Sequence, residues 1–210
     1  MDNNSKQNFN LVVTEFETRI AEFFGAPYAV AVDSCTHGIE LCLRYNNIDK
    51  IIVPDRTYVS IPMLAKKLNI KLIFCKDWDW TQYYEVAYNK NKKTSIYDAA
   101  VLWCANSYIP ESFMCISFQF QKHLSLGRGG IILTDNRVAA LQLKKMSYDG
   151  RLPNIPWRDQ NIDTMGYHYY MTPETAQLGL DKIDVAIATP PRQWVVTDWP
   201  DLTQMKIFKQ

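Results

Sequence analysis

A single lysine, Lys122, stands in the stretch "SFQFQKHLSLGRGGIILTD", between an apolar, aromatic run and a glycine-bearing one. An amine held away from water binds its proton less tightly and becomes a nucleophile able to condense with a carbonyl carbon. Other places carry groups that could work with it. In "DSCT" (33–36), Ser34 and Thr36 stand where a helix can begin, and the free amides of a first helical turn suit a phosphate. Asp98 closes the apolar run "TSIYD", which sets a carboxylate at a strand end against whatever is buried there. Ser117 adds a hydroxyl five residues before the lysine. The plain alternative for Lys122 is a solvated loop residue, so the elements around it must decide.

Those elements alternate. "LVVTEFETRIAEFF" (11–24) places Val12, Phe16, Ile20 and Phe23 at helical spacing, and Gly25 with Pro27 ends the pattern. "YAVAVD" (28–33) reads as a strand leading into the helix "SCTHGIELCLRYN". The unit repeats in "KIIVPD" (50–55), "RTYVSIPMLAKKLN" and "KLIFC" (71–75). Strand-like runs follow at 94–98, 114–118 and 129–135, then a helix over "NRVAALQLKKM". Such alternation predicts a three-layer α/β sandwich with a mostly parallel central sheet, whose ligands sit beyond the carboxyl ends of the strands. "SYDGRLPNIPWRDQNIDTMGYHYY" reads as a long ordered loop, and Thr172, Pro173 and Glu174 sign the start of a last helix. The expected division is a ligand-binding domain over residues 1–188 and a Pro/Trp-rich tail over 189–210, whose Trp residues suggest docking on the body or on another subunit.

The totals narrow the class. With 210 residues, 47% hydrophobic, the chain suffices for one well-buried domain. A net charge of +1, with both signs spread along the chain, excludes the basic stripe that nucleic acid requires. Five widely spaced cysteines without metal-ligand spacing read as core residues in a reducing compartment. A polar N-terminus and the lack of any span-length apolar run point to a soluble, cytoplasmic protein that does not engage a membrane.

A phosphate cup, a carboxylate and an imine-forming lysine in one α/β layer are the parts a pyridoxal phosphate enzyme needs. The strings "FETRIAEFFGAPYAVAVDSCTHGIELCL", "IIVPDRTYVS", "YDAA", "SFQFQKHLSLGRGGIILTD" and "GYHYYMTPETAQLGL" run in the order found in the DegT/StrS-type sugar aminotransferases of fold type I, which this chain resembles over about residues 16–184. The resemblance implies the large domain of that fold, pyridoxal 5'-phosphate as cofactor, and a homodimer with shared sites. It implies Lys122 as the Schiff-base lysine, Asp98 as the partner of the ring nitrogen, and Ser117, Thr36 and the Cys35 backbone as phosphate ligands. Tyr58 takes the place of the ring that stacks on the cofactor. The reaction implied moves an amino group from an amino acid, with glutamate as donor, to a keto sugar nucleotide.

The chain departs from the family pattern in places. Cys35 replaces a small residue, Val101 stands where Gln or His is usual, and His168 and Tyr170 stand at the usual Asn and Arg of a loop that reaches the partner's phosphate. His168 keeps a hydrogen-bonding ring for that task, and Arg128 is the expected substrate contact. His37 and His123 receive no chemical step. Tyr83, Tyr84, Tyr167, Tyr169 and Tyr170 read as packing rather than sugar platforms. Family members run to nearly twice this length, with a small domain where this chain has its tail. Two alternatives stay open: a pyridoxal-phosphate decarboxylase or lyase, and a non-catalytic scaffolding domain.

Overall fold

The computed structural model describes residues 3–153 and 155–209. Helix α1 (Asn3–Phe24) begins eight residues before the apolar spacing first shows it, and buries Phe16, Ile20 and Phe24 along one stripe. Strands β1 (Tyr28–Val32), β2 (Lys50–Pro54) and β3 (Lys71–Cys75) alternate with α2 (Cys35–Tyr45) and α3 (Ser60–Leu68). Then come β4 (Tyr84–Asn89), β5 (Thr94–Asp98), β6 (Ser112–Ser117), β7 (Gly130–Thr134), α4 (Arg137–Ser147) and α5 (Pro173–Ala188). Short 3-10 turns mark the long loop at Trp157–Asp159 and the tail at Val196–Asp198, Leu202–Gln204 and Lys206–Phe208.

Five strands form one sheet in the order β1-β7-β6-β5-β4, and β2 pairs with β3 in a second. Side chains alternate across the main sheet with the strand period of two. Ala31, Met114, Ile116, Ile131 and Leu133 face α1 and α5, while Val30, Val32, Phe113, Cys115 and Ile132 face α2 and α4. This makes three layers, and α3 covers β2 and β3. The expected mostly parallel sheet is not what forms. Only β5–β6 and β2–β3 are parallel; β1–β7, β6–β7 and β4–β5 are antiparallel.

Chain length explains the difference. The sequence pattern misses β4, which lies four residues from β5. A parallel return needs a crossover of about a dozen residues, so four permit only a hairpin. Asn89 sets that turn, its side-chain oxygen accepting from the amides of Asn91 and Lys92 at 3.0 and 3.1 Å. The 118–129 connection is long enough for a crossover but holds no helix, and it folds back on itself between β6 and β7.

The long loop is ordered by backbone bonds. Tyr167 and Tyr169 donate to Met146 and Ser147 at 2.7 and 3.0 Å, and Asp33 donates to Tyr169 at 2.8 Å. Tyr169 stacks on His37 with ring centres 3.6 Å apart, beside Glu40, a fully buried carboxylate paired to Arg44 and Lys67. Among the described residues no helix is long and apolar enough to cross a membrane.

Candidate active site

Strand direction assembles the site. β1 and β6 both run antiparallel to β7, and β5 runs parallel to β6, so Val32, Asp98 and Ser117 end on one edge. Gly130 opens β7 between two of those ends, in register with both Val32 and Ser117. The turn 33–34 leads from β1 into α2, and the loop bearing Lys122 leads out of β6.

Ser34 caps α2 in extended conformation and accepts the amide of His37 at 3.2 Å. The amides of Cys35 and Thr36 lie in the first turn, where no helical carbonyl is available to them. The hydroxyl of Thr36 bonds that of Ser60, at the start of α3, at 2.7 Å. The α2 start rests directly on Gly130: a Cβ there would run into the backbone of Ser34 and Cys35. Only glycine lets the α2 start sit this close to the sheet. Gly130→Ala must push the α2 start away, and we expect a loss of at least about 2 kcal/mol, read in a denaturant melt. An unchanged melt would contradict this packing.

Asp98 is buried, with both oxygens engaged. Oδ2 accepts from the Tyr84 hydroxyl at 2.8 Å and Oδ1 from the Ala100 amide at 3.0 Å. The Tyr84 oxygen has one proton, given to Asp98, so at its 2.7 Å contact the Thr57 hydroxyl donates to it. Burial raises the Asp98 pKa, against the lowering effects of Tyr84, Ala100 and, last, the charge of Lys122. Burial, and then the Asp98 charge, hold the Tyr84 hydroxyl well above its ordinary value.

Lys122 is half-buried in the loop, its amide donating to Gln119 at 2.7 Å. Burial lowers the pKa of its amine, opposed by Asp98 and Cys35 and aided by Arg192. Its Nζ lies 4.7 Å from the centre of the Trp194 ring. The Cys35 thiol donates to the Cys115 carbonyl at 3.3 Å, and burial raises its pKa well above the ordinary thiol value. Near neutral pH that sulfur is an uncharged core atom.

The other predicted residues are placed less centrally. Tyr58, 50% exposed, precedes α3 with its ring open to solvent. Arg128 is drawn onto Asp33, its Nη2 2.7 Å from the carboxylate and its Nε 3.2 Å from the carbonyl. His168 stands apart, exposed, 3.2 Å from the Asp149 carboxylate and edge-on to Tyr170. It shares a separate cleft with Asp33, Arg128, Tyr170 and Thr172. Sequence reasoning misses Tyr84, Thr57, Gly130 and the tail residues Arg192 and Trp194. The double glycine before β7 signals Gly130; for the tail, only the unusual Trp content gives notice.

The fold is one already seen in solved structures. AtS13 from Actinomadura melliaura superposes with a TM-score of 0.69 at 18% identity, over 83% of this chain and 60% of its own. Spr1654 from Streptococcus pneumoniae, in its PLP-form, gives 0.67 at 19% identity, over 84% and 60%. GDP-4-keto-6-deoxymannose-3-dehydratase (ColD) with bound GDP-perosamine gives 0.64 at 16% identity, over 85% and 61%. The chain thus spans about 60% of the length of these structures. No curated protein matches it in sequence. The chain belongs to the DegT/DnrJ/EryC1/StrS aminotransferase family, whose sequence profile matches residues 3–86 and 110–189. Asp98 falls in the stretch between those spans, and the tail beyond residue 189 lies outside them.

Proposed function

We propose that the chain is a pyridoxal-phosphate-dependent aminotransferase that moves an amino group from an amino acid, with glutamate as donor, to a keto sugar carried on a nucleotide. One observation carries the reading: a half-buried lysine with a depressed pKa and a buried carboxylate share a sheet edge with a helix N-terminus seated on glycine. Family membership supports it, as do a fold neighbour in its PLP-form and another with bound GDP-perosamine.

The donor set suits that cofactor. When bound, pyridoxal phosphate supplies an aldehyde that captures amines and a ring that takes up the electron pair of a broken C–H bond. The Lys122 amine would hold the aldehyde and later, once free, carry a proton at Nζ to and from the substrate carbon. Asp98, fixed by Tyr84 and Ala100, keeps lone pairs for a protonated ring nitrogen. The amides of Cys35 and Thr36, with the hydroxyls of Thr36 and Ser117, form the phosphate cup. Tyr58 offers a solvent-facing ring for stacking. Residues 1–188 form the cofactor-binding unit and 189–210 a tail that folds back over it. Two copies share their sites, His168 serving the phosphate of its partner, and Arg128, released from Asp33, is the cation for substrate.

The test is the visible spectrum of purified protein with added pyridoxal phosphate, before and after borohydride, followed by peptide mapping. A yellow protein with reduced cofactor fixed on Lys122 supports the reading, and screening of donors follows. A colourless protein with Lys122 unmodified overturns it.

A further inference from the structure

The tail lies beyond the family-matched span, yet it reaches the lysine. Its starting point is fixed where α5 ends: the Ala186 carbonyl lies 2.8 Å from Nε2 of His123, next to Lys122, and accepts from Trp103 Nε1 at 3.0 Å. From there the chain turns so that the Trp194 ring covers Lys122 Nζ at 4.7 Å, with the Arg192 guanidinium 3.9 Å from the same ring. Arg192 is held in turn by Asp198 at 3.0 Å.

Beyond Trp194 the tail is pinned. Trp199 stacks on Trp194 with ring centres 5.4 Å apart and packs on Trp80 at 4.8 Å; Trp80 meets Tyr84, the donor to Asp98, at 5.0 Å. Backbone joins the same clasp: Arg56 donates to the Trp199 carbonyl at 2.9 Å and the Leu202 amide to Asp55 at 2.8 Å. A row of rings therefore runs from the lysine to the aspartate, two of them supplied by the tail.

We propose that Trp194 is a positioning residue, its indole held by the tail over the Lys122 amine to fix the amine's direction and keep bulk water from it. The inference rests on Lys122 being the reactive lysine of the proposed function. An indole face attracts an ammonium, but more weakly than the water it displaces solvates one. Of the titratable groups that influence the amine, Asp98 favours its proton, Cys35 does so only as a thiolate, and Arg192 opposes it. Burial outweighs them, and from the tail the Trp194 ring is the apolar face set against the amine.

The test labels the cofactor-free protein with acetic anhydride across a pH series and reads Lys122 acetylation by mass spectrometry. In Trp194→Ala the midpoint for Lys122 should move up toward the ordinary lysine range, and Trp194→Phe should restore most of the wild-type value. A wild-type midpoint in Trp194→Ala overturns the proposal. Should the alanine variant not fold, Trp194→Gln, which admits water at similar length, carries the same two outcomes. Borohydride fixation on the wild type separates the questions. Fixation with an unmoved Trp194 midpoint leaves the aminotransferase reading standing and sinks this one; a moved midpoint without fixation does the reverse for the capping of Lys122.

Discussion

Lys122→Met should abolish the fixation of pyridoxal phosphate and cut transamination by at least about 10³-fold, while raising the melting temperature by roughly 2–4 °C. The two effects have one cause. Burial makes the folded protein hold the Lys122 proton less tightly than the unfolded chain does. Below the lowered pKa the folded state carries an ammonium it solvates poorly, so wild-type stability is reduced there. As pH rises from the lowered pKa to the ordinary value of 10.5, the unfolded chain binds more protons than the folded one and stability recovers. Methionine matches the aliphatic stem and bears no charge. The advantage of the variant is therefore largest below the lowered pKa and closes as pH approaches 10.5. Asp98 loses little by the change, because Lys122 is the smallest of the influences that hold its pKa down. Thermal melts at neutral and alkaline pH decide the point. A variant less stable than wild type at neutral pH would mean that the lysine is a structural residue.

Asp98→Asn separates chemistry from packing in the other direction. The amide can still accept from Ala100, but it offers no negative charge to a cationic ring, and turnover with saturating cofactor should fall by about 10²–10³-fold. Stability should not fall. The pKa of Asp98 is raised on folding, so its contribution is full below the ordinary carboxylate value of 3.8 and is lost as pH climbs through the raised pKa. Above that raised pKa the wild type has lost it, whereas the asparagine variant has nothing to titrate. Measured kcat together with melts on both sides of that window would show whether the residue acts on a cofactor. Unaltered turnover would remove it from the chemistry.

The placement of Asp98 at a strand end, and of Lys122 in the loop that follows one, is legible in the sequence because a strand end stays a strand end whichever way its neighbours run. The strands Lys71–Cys75 and Thr94–Asp98 form where their apolar runs lie, and α5 begins where Thr172 and Pro173 signal it. Strand β4 is hidden because "TQYYEVAYN" shows no clean alternation and the charged turn after it resembles a loop. Missing it, the pattern overstates the parallel character of the sheet. Arg128 reads as a free cation, since nothing local announces an ion pair with Asp33, 95 residues away. Trp194 is hidden for a related reason. Its place over the lysine depends on how a tail without periodicity crosses the molecule, and single-residue spacing carries no record of that path.

The unpaired neighbours β2 and β4 lie side by side, yet belong to separate sheets. Across that boundary the bonds Thr57 to Tyr84 and Trp80 to Arg56 are made by side chains rather than by a ladder. Side-chain clasps open at lower free energy than a continuous ladder, so although the unit of β2, α3 and β3 shares one apolar core with the central sheet, its amides should exchange faster than those of that sheet. That unit carries Tyr58 and Ser60, whereas Asp98, Ser117 and Lys122 are anchored in or beside the central sheet. The site is thus split between a rigid floor and a yielding wall, and a cofactor that bridged them would act as the rivet.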